Sequence, residues 1–255
     1  MKRLIILLLI FSCSSDKSVQ PEVCDNNYNP PFGGTIFIDP DIITSDDPTT
    51  FISLSYAGTG TRQMYDRRSG WVTLEPFLFP AEYDDGLTIE IQVNPEFGSK
   101  DNAEIYALKY ADVIGRLTTE LRKDVETSWI HRGEEPFGGG NNNLLIHTDW
   151  SEKHYENQGI LEETLVHEAA HTSLDSYHAE SNGWLDAQIK DCGFISDYAR
   201  DNPIREDIAE SYLPYLAIRY RSDRISESLK KKIEDAIPNR IKYFDEQNFN
   251  MYPIQ

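Results

Sequence analysis

His167, Glu168 and His171 stand in the order His-Glu-Ala-Ala-His. On a helix, histidines four apart leave the same face one turn apart, so both neutral ring nitrogens can reach one cation. Zinc takes imidazole nitrogen at about 2.0–2.1 Å, and a catalytic zinc keeps one position open for water. Glu168, beside the first histidine, can reach that water as a general base. The pattern is weak alone, but Leu161, Leu165, Val166, Ala169, Ala170 and Leu174 surround it with apolar surface. Polar groups in so apolar a helix need a partner. A hydrogen-bonded histidine pair in the core is the plainer reading; the one adopted is zinc.

A catalytic zinc needs a third protein ligand. Asp175, four residues past His171, is one candidate. The stronger one lies in the stretch 202–220. Asn202 and Pro203 predict a helix start there, which sets Glu206 and Glu210 four apart on one helical face. Two carboxylates on an inner face call for a cation. Asp207 points about a quarter-turn away and is expected to matter little to it.

HEAAH at 167–171, Tyr198 in SDYARDN and EDIAE at 206–210 together resemble the gluzincin metallopeptidases of the anthrax lethal factor type, over residues 160–220. The resemblance implies that Glu206 is the third zinc ligand. It implies that Glu210 orients a ligand histidine through its far ring nitrogen, and that Tyr198 donates to the oxyanion or the leaving amine. Tyr177 and Tyr212 compete for that last role. The implied activity is hydrolysis of peptide bonds in a peptide or protein substrate, with Zn2+ as cofactor. A non-catalytic zinc-containing binding lipoprotein, a pseudo-peptidase, is the alternative. The implied domain is zincin-like, and patterning makes the chain α+β, with a β-rich N-terminal half and a helical C-terminal half. Zincins lay an edge strand over the active-site helix, and LLIHT at 144–148 takes that place by analogy.

The elements that must position these residues follow from patterning. TIFID (35–39), FISLSY (51–56), WVTLEPFLF (71–79) and LTIEIQV (87–93) read as short strands between turn signals. Apolar residues from Ile105 to Leu121 recur at helical spacing, which predicts one long helix over 102–123. A short strand at 129–131 precedes FGGGNNN (137–143), which reads as a turn-forming loop. His131, His147 and His154 lack ligand spacing and read as ordinary core or surface histidines. Residues 180–192 predict a connecting helix, Pro214 falls inside the 203–220 helix, and amphipathic helices over 223–247 close the chain.

Met1 to Cys13, MKRLIILLLIFSC, carries two cations and an apolar run too short to span a bilayer. It reads as a bacterial lipoprotein signal with Cys13 lipidated, so an exported cell-envelope protein held at a membrane by its lipid is expected. Residues 14–31 read as a flexible tether and 32–255 as one zinc peptidase domain. Cys24 and Cys192 permit a single disulfide in an oxidising compartment. With Lys+Arg 24 against Asp+Glu 43 the net charge is −19, which repels phosphate backbones and excludes nucleic acid as a partner. A monomer is expected.

Overall fold

The computed structural model describes residues 29–254. The leader with Cys13, Cys24 and all of the tether before residue 29 lie outside the described residues. Strands β1 (Phe51–Leu54), β2 (Arg62–Asp66), β3 (Gly70–Leu74), β4 (Phe77–Tyr83) and β5 (Thr88–Val93) come first. The run 71–79 divides into β3 and β4 around Pro76, which has no N–H to give a ladder. Helix α1 (Lys100–Gly115) is capped by Ser99, whose hydroxyl accepts from the Asn102 amide. It stops where Gly115 meets β1: a Cβ there would lie 2.9 Å from the Phe51 nitrogen. The expected helix over 102–123 therefore breaks, and Thr118 caps a separate α2 (Thr119–Arg122).

Then come β6 (Thr127–His131), β7 (Gly138–Gly140), β8 (Asn143–His147) and the helices α3 (Thr148–Trp150), α4 (Leu161–Ser173), α5 (Asp175–His178), α6 (Asn182–Asp191), α7 (Asp197–Asp201), α8 (Asp207–Tyr220), α9 (Glu227–Ala236) and α10 (Pro238–Asp245). The chain is α+β. Its main sheet has the order β1-β4-β5-β6-β8-β7. β5, β6 and β8 run parallel, joined between β5 and β6 by the α1 crossover, while β1, β4 and β7 are antiparallel to their neighbours.

Alternation along the strands divides the sheet's faces. Ile130, Leu144 and Ile146 join the main core with Leu165, Val166 and Ala169 of α4. Trp129 and Leu145 face the other way and pack on Met64 of the β2–β3 hairpin. Among the described residues no helix is long and apolar enough to cross a membrane.

Three expectations are corrected. Residues 35–39 are not a strand. The Ile36 amide donates to Glu210 Oε2 (3.2 Å), and the Ile38 and Ile42 amides donate to the two oxygens of Glu163 (2.8 and 2.9 Å). Buried carboxylates on α8 and α4 thus take the hydrogen bonds that a neighbouring strand would have taken. The glycine run 138–140 is a strand rather than a loop. Asn141 and Asn142 both hold positive φ (52° and 55°), the pair of conformations a two-residue hairpin turn needs, and so fold β7 back on β8. Leu144–Thr148 is consequently not the edge: β8 lies between β6 and β7, and β7 ends the sheet.

Candidate metal centre

Helix α4 lies beneath the edge of the sheet, so close that a Cβ on Gly139 would fall 1.8 Å from the Glu168 carbonyl oxygen. Thr172, one turn further on, bridges the end of the hairpin: its hydroxyl accepts from the Gly140 amide (2.8 Å) and donates to the Asn143 carbonyl (2.9 Å). The edge strand is thereby fixed across the helix that carries His167, Glu168 and His171.

Glu206 arrives from the other side. The helix expected from Pro203 begins only at Asp207, because Asn202, held out of the α region by the proline after it, ends α7 instead. Glu206 occupies the N-cap position of α8, yet the Glu210 amide still donates to its carbonyl at 2.9 Å. Glu206 and Glu210 therefore remain one turn apart on the same side, as their spacing implies.

Nε2 of His167, Nε2 of His171 and Oε2 of Glu206 form a nearly equilateral triangle, with edges of 3.2 Å (His–His), 3.4 Å (His167–Glu206) and 3.2 Å (His171–Glu206). Ligands at about 2.0–2.1 Å from a tetrahedral zinc lie about 3.3–3.4 Å apart, so the spacing fits such an ion. The chemistry of the donors agrees with the spacing. Glu206 Oε2 is buried and faces only the two imidazole nitrogens, with no well-directed hydrogen bond, and a carboxylate oxygen so placed is costly unless a cation meets it. This is the one set of three histidine, cysteine or carboxylate donors converging this closely among the described residues.

Each histidine is held from behind. His171 Nδ1 lies 2.8 Å from Asp175 Oδ2, so the Asp175 carboxylate meets the ring nitrogen turned away from the triangle. His167 Nδ1 faces Glu210 Oε1 at 3.4 Å. Glu210 Oε2 accepts from Ser196 Oγ (2.7 Å) and from the Ile36 amide. Such carboxylate–imidazole pairs select the tautomer that leaves the far nitrogen free to coordinate.

Burial opposes charge on His171, but the carboxylates of Asp175 and Glu206 outweigh it and raise the imidazole to about 10. Burial likewise works against Glu206, yet the two histidines hold its carboxyl well below the usual range. Burial raises Glu210 to about 7.

Tyr198 donates to Glu206 Oε1 at 3.1 Å, and its ring lines the same cleft as Glu168. The competing tyrosines lie elsewhere. Tyr177 is exposed and bonds Asp124, while Tyr212 is buried against Met251. Asp207 also departs from expectation. It is fully buried and pairs with Arg240 Nε at 2.8 Å, and Arg240 Nη1 in turn reaches Asp191 at 3.1 Å. His131 and His147 are fully buried and stacked, with ring centroids 5.5 Å apart, away from the triangle.

Comparison with protein-family models, with curated proteins and with solved structures finds no match for this chain. The site therefore rests on its own geometry.

Two arginines that patterning did not single out line the cleft beside the triangle, Arg67 from the β2–β3 turn and Arg205 from the turn before α8. Neither sits in a motif, so no signal in the sequence distinguishes them. Cys192 is disulfide-bonded, and both other cysteines lie outside the described residues.

Proposed function

We propose that the chain is a zinc-dependent metallopeptidase of zincin-like, gluzincin architecture, with His167, His171 and Glu206 as the metal ligands. The observation that carries this reading is the 3.2–3.4 Å triangle with a carboxylate behind each histidine. It lies next to a sheet edge that has no strand on its far side among the described residues. An unpaired edge accepts an extended peptide by adding a strand, which brings a backbone carbonyl to the donor triangle.

Zinc bound there supplies Lewis acidity that polarises the carbonyl and lowers the pKa of water. Glu168 lines the cleft beside the ligands and takes the proton from the attacking water on its carboxylate. It then gives that proton to the departing amine nitrogen. Tyr198, whose hydroxyl lies at the same cluster, turns from Glu206 to donate to the developing oxyanion. Glu210 and Asp175 hold the imidazoles in place throughout. Three protein donors suit a site with an open position, whereas structural zinc sites fill all four, which favours the peptidase over a non-catalytic zinc lipoprotein.

The deciding experiment is a peptide-library digest with the zinc-loaded protein, with and without chelator, beside Glu168→Gln. The expected result is chelator-sensitive cleavage that falls about 100-fold or more in the variant while zinc stays bound. Full zinc occupancy with no cleavage of any peptide would favour the pseudo-peptidase. We further propose that the leader exports the protein and that a lipid on Cys13 tethers it to the cell envelope. An unmodified N-terminus beyond residue 13 by mass spectrometry would exclude the lipid.

A further inference from the structure

The outer face of the sheet carries a hollow that the peptidase chemistry leaves unused. It lies between the β2–β3 hairpin and the β6–β8–β7 edge, a cavity of about 400 Å³. Three aromatic rings line it beside the polar Arg67, Asn141, Asn143 and Arg205. Trp71 meets Tyr65 on one side and Trp129 on the other, each pair edge to face with centroids 5.5 Å apart. Trp71 is 54% exposed although its neighbours are packed, so one face of this aromatic corner is left open.

The hollow opens onto the metal cleft. Gly138, Gly139 and Gly140 line both spaces, and so do Arg67 and Arg205. The absence of side chains on β7 makes the connection. At Gly139 a side chain is excluded by α4, but Gly138 is under no such constraint. A Cβ there would meet no backbone, only Arg67 Nη2, the atom that donates to the Phe137 carbonyl, at 3.1 Å and the Leu145 side chain at 3.6 Å. Glycine at 138 therefore leaves a doorway that neither the backbone nor the core demands.

The mouth is cationic in a chain whose net charge is −19. Arg67 is anchored by donating to the Phe137 carbonyl at 2.5 Å. The Arg205 side chain is 79% exposed and lies 3.2 Å from Glu206 Oε1. Arg67 and Arg205 thus set two guanidiniums at the rim of the hollow, where an acidic group of a ligand can meet them.

We infer that this cavity is a specificity pocket for an aromatic side chain of a peptide laid along β7, with an acidic residue of the same peptide held between Arg67 and Arg205. The inference rests on the peptidase reading for its ligand class. An added strand turns alternate side chains to the outer face, where they pass over Gly138 into the hollow. Tyr65, Trp71 and Trp129 offer ring edges and faces that favour an aromatic guest over an aliphatic one of equal size. The guanidiniums recognise a carboxylate by charge and paired hydrogen bonds.

The test uses full-length, zinc-loaded Glu168→Gln protein, which binds without cutting, and fluorescent octapeptides containing Phe-Asp or Trp-Asp. Replacing the ring by Ala is expected to weaken binding at least 10-fold, and replacing Asp by Asn at least 5-fold. Gly138→Val and Trp71→Ala should abolish the ring preference. Arg67→Gln with Arg205→Gln should abolish the acid preference, with thermal melts confirming that each variant folds. Equal binding across the panel, no binding at all, or preferences untouched by these substitutions would each overturn the inference. Selective binding without cleavage by the wild-type protein would sink the peptidase reading and leave the pocket. Cleavage with no preference for ring or acid would do the reverse.

Discussion

Glu210 Oε1 lies 3.4 Å from His167 Nδ1, on the ring nitrogen turned away from the donor triangle, while its other oxygen accepts from Ser196 and Ile36. One carboxylate thus ties the lead-in to the domain, the cap of α7 and the orientation of a ligand to a single point in the core. Removing it loosens the site without emptying it.

Zinc titration of three variants ranks these roles. Glu206→Gln replaces the charged donor at a triangle corner, so zinc should be lost on dialysis. Glu210→Gln and Asp175→Asn change only what stands behind His167 and His171, and each should weaken zinc about 10–100-fold. If Asp175→Asn strips the metal while Glu206→Gln retains it, the ligand assignment is wrong.

Acid stability reports on His131. Burial holds its imidazole neutral and pushes it down to about 4, against 6.5 when unfolded. Between those values the unfolded chain binds a proton that the fold refuses. The stability due to the neutral ring is therefore complete above pH 6.5 and lost as pH falls to 4, by roughly 3 kcal/mol. His131→Gln does not titrate, so its denaturant midpoint should differ between pH 7 and pH 4.5 by less than the wild type's. An equal difference would refute the assignment.

The Asp207–Arg240 pair makes Asp207→Asn a stability variant. It leaves a buried guanidinium with Asp191 as its remaining carboxylate, a change expected to cost about 3 kcal/mol. Zinc affinity should change less than threefold, because Asp207 lies outside the triangle. A wild-type melting temperature for this variant would contradict the pairing.

Gly139→Ala tests the seating of the edge strand. The added methyl collides with the backbone of Glu168, so β7 must lift from α4, at about 1–3 kcal/mol or more. On the proposed peptidase function, cleavage should fall along with stability, because the edge strand and Glu168 move together. Gly138→Ala, which meets side chains rather than backbone, should cost less than Gly139→Ala and melt within about 2 °C of wild type, a shift of about 0.5–1 kcal/mol.

Local rules account for much of the site. The four-residue spacing in HEAAH sets two imidazoles side by side wherever the helix lies, and the same spacing keeps Glu206 and Glu210 on one side even though α8 starts later than Pro203 suggests. The α+β class is also readable, since strand alternation and helical periodicity are properties of short windows. The tertiary structure alone decided what depends on residues far apart in the chain. Asp175 has ligand chemistry, but its carboxylate is taken by His171 Nδ1, leaving Glu206 to close the triangle. Asp207, read as a bystander, is buried because α10 brings Arg240 onto it. TIFID has strand composition, yet its Ile36 and Ile38 amides bond Glu210 and Glu163, 174 and 125 residues away. Gly138–Gly140 has loop composition but pairs as a strand with β8 across the Asn141–Asn142 turn, and glycine at 139 lets that strand lie against Glu168 of α4. For Asp207, TIFID and Gly139 the deciding partner comes from a distant element, and no short window of the sequence contains both.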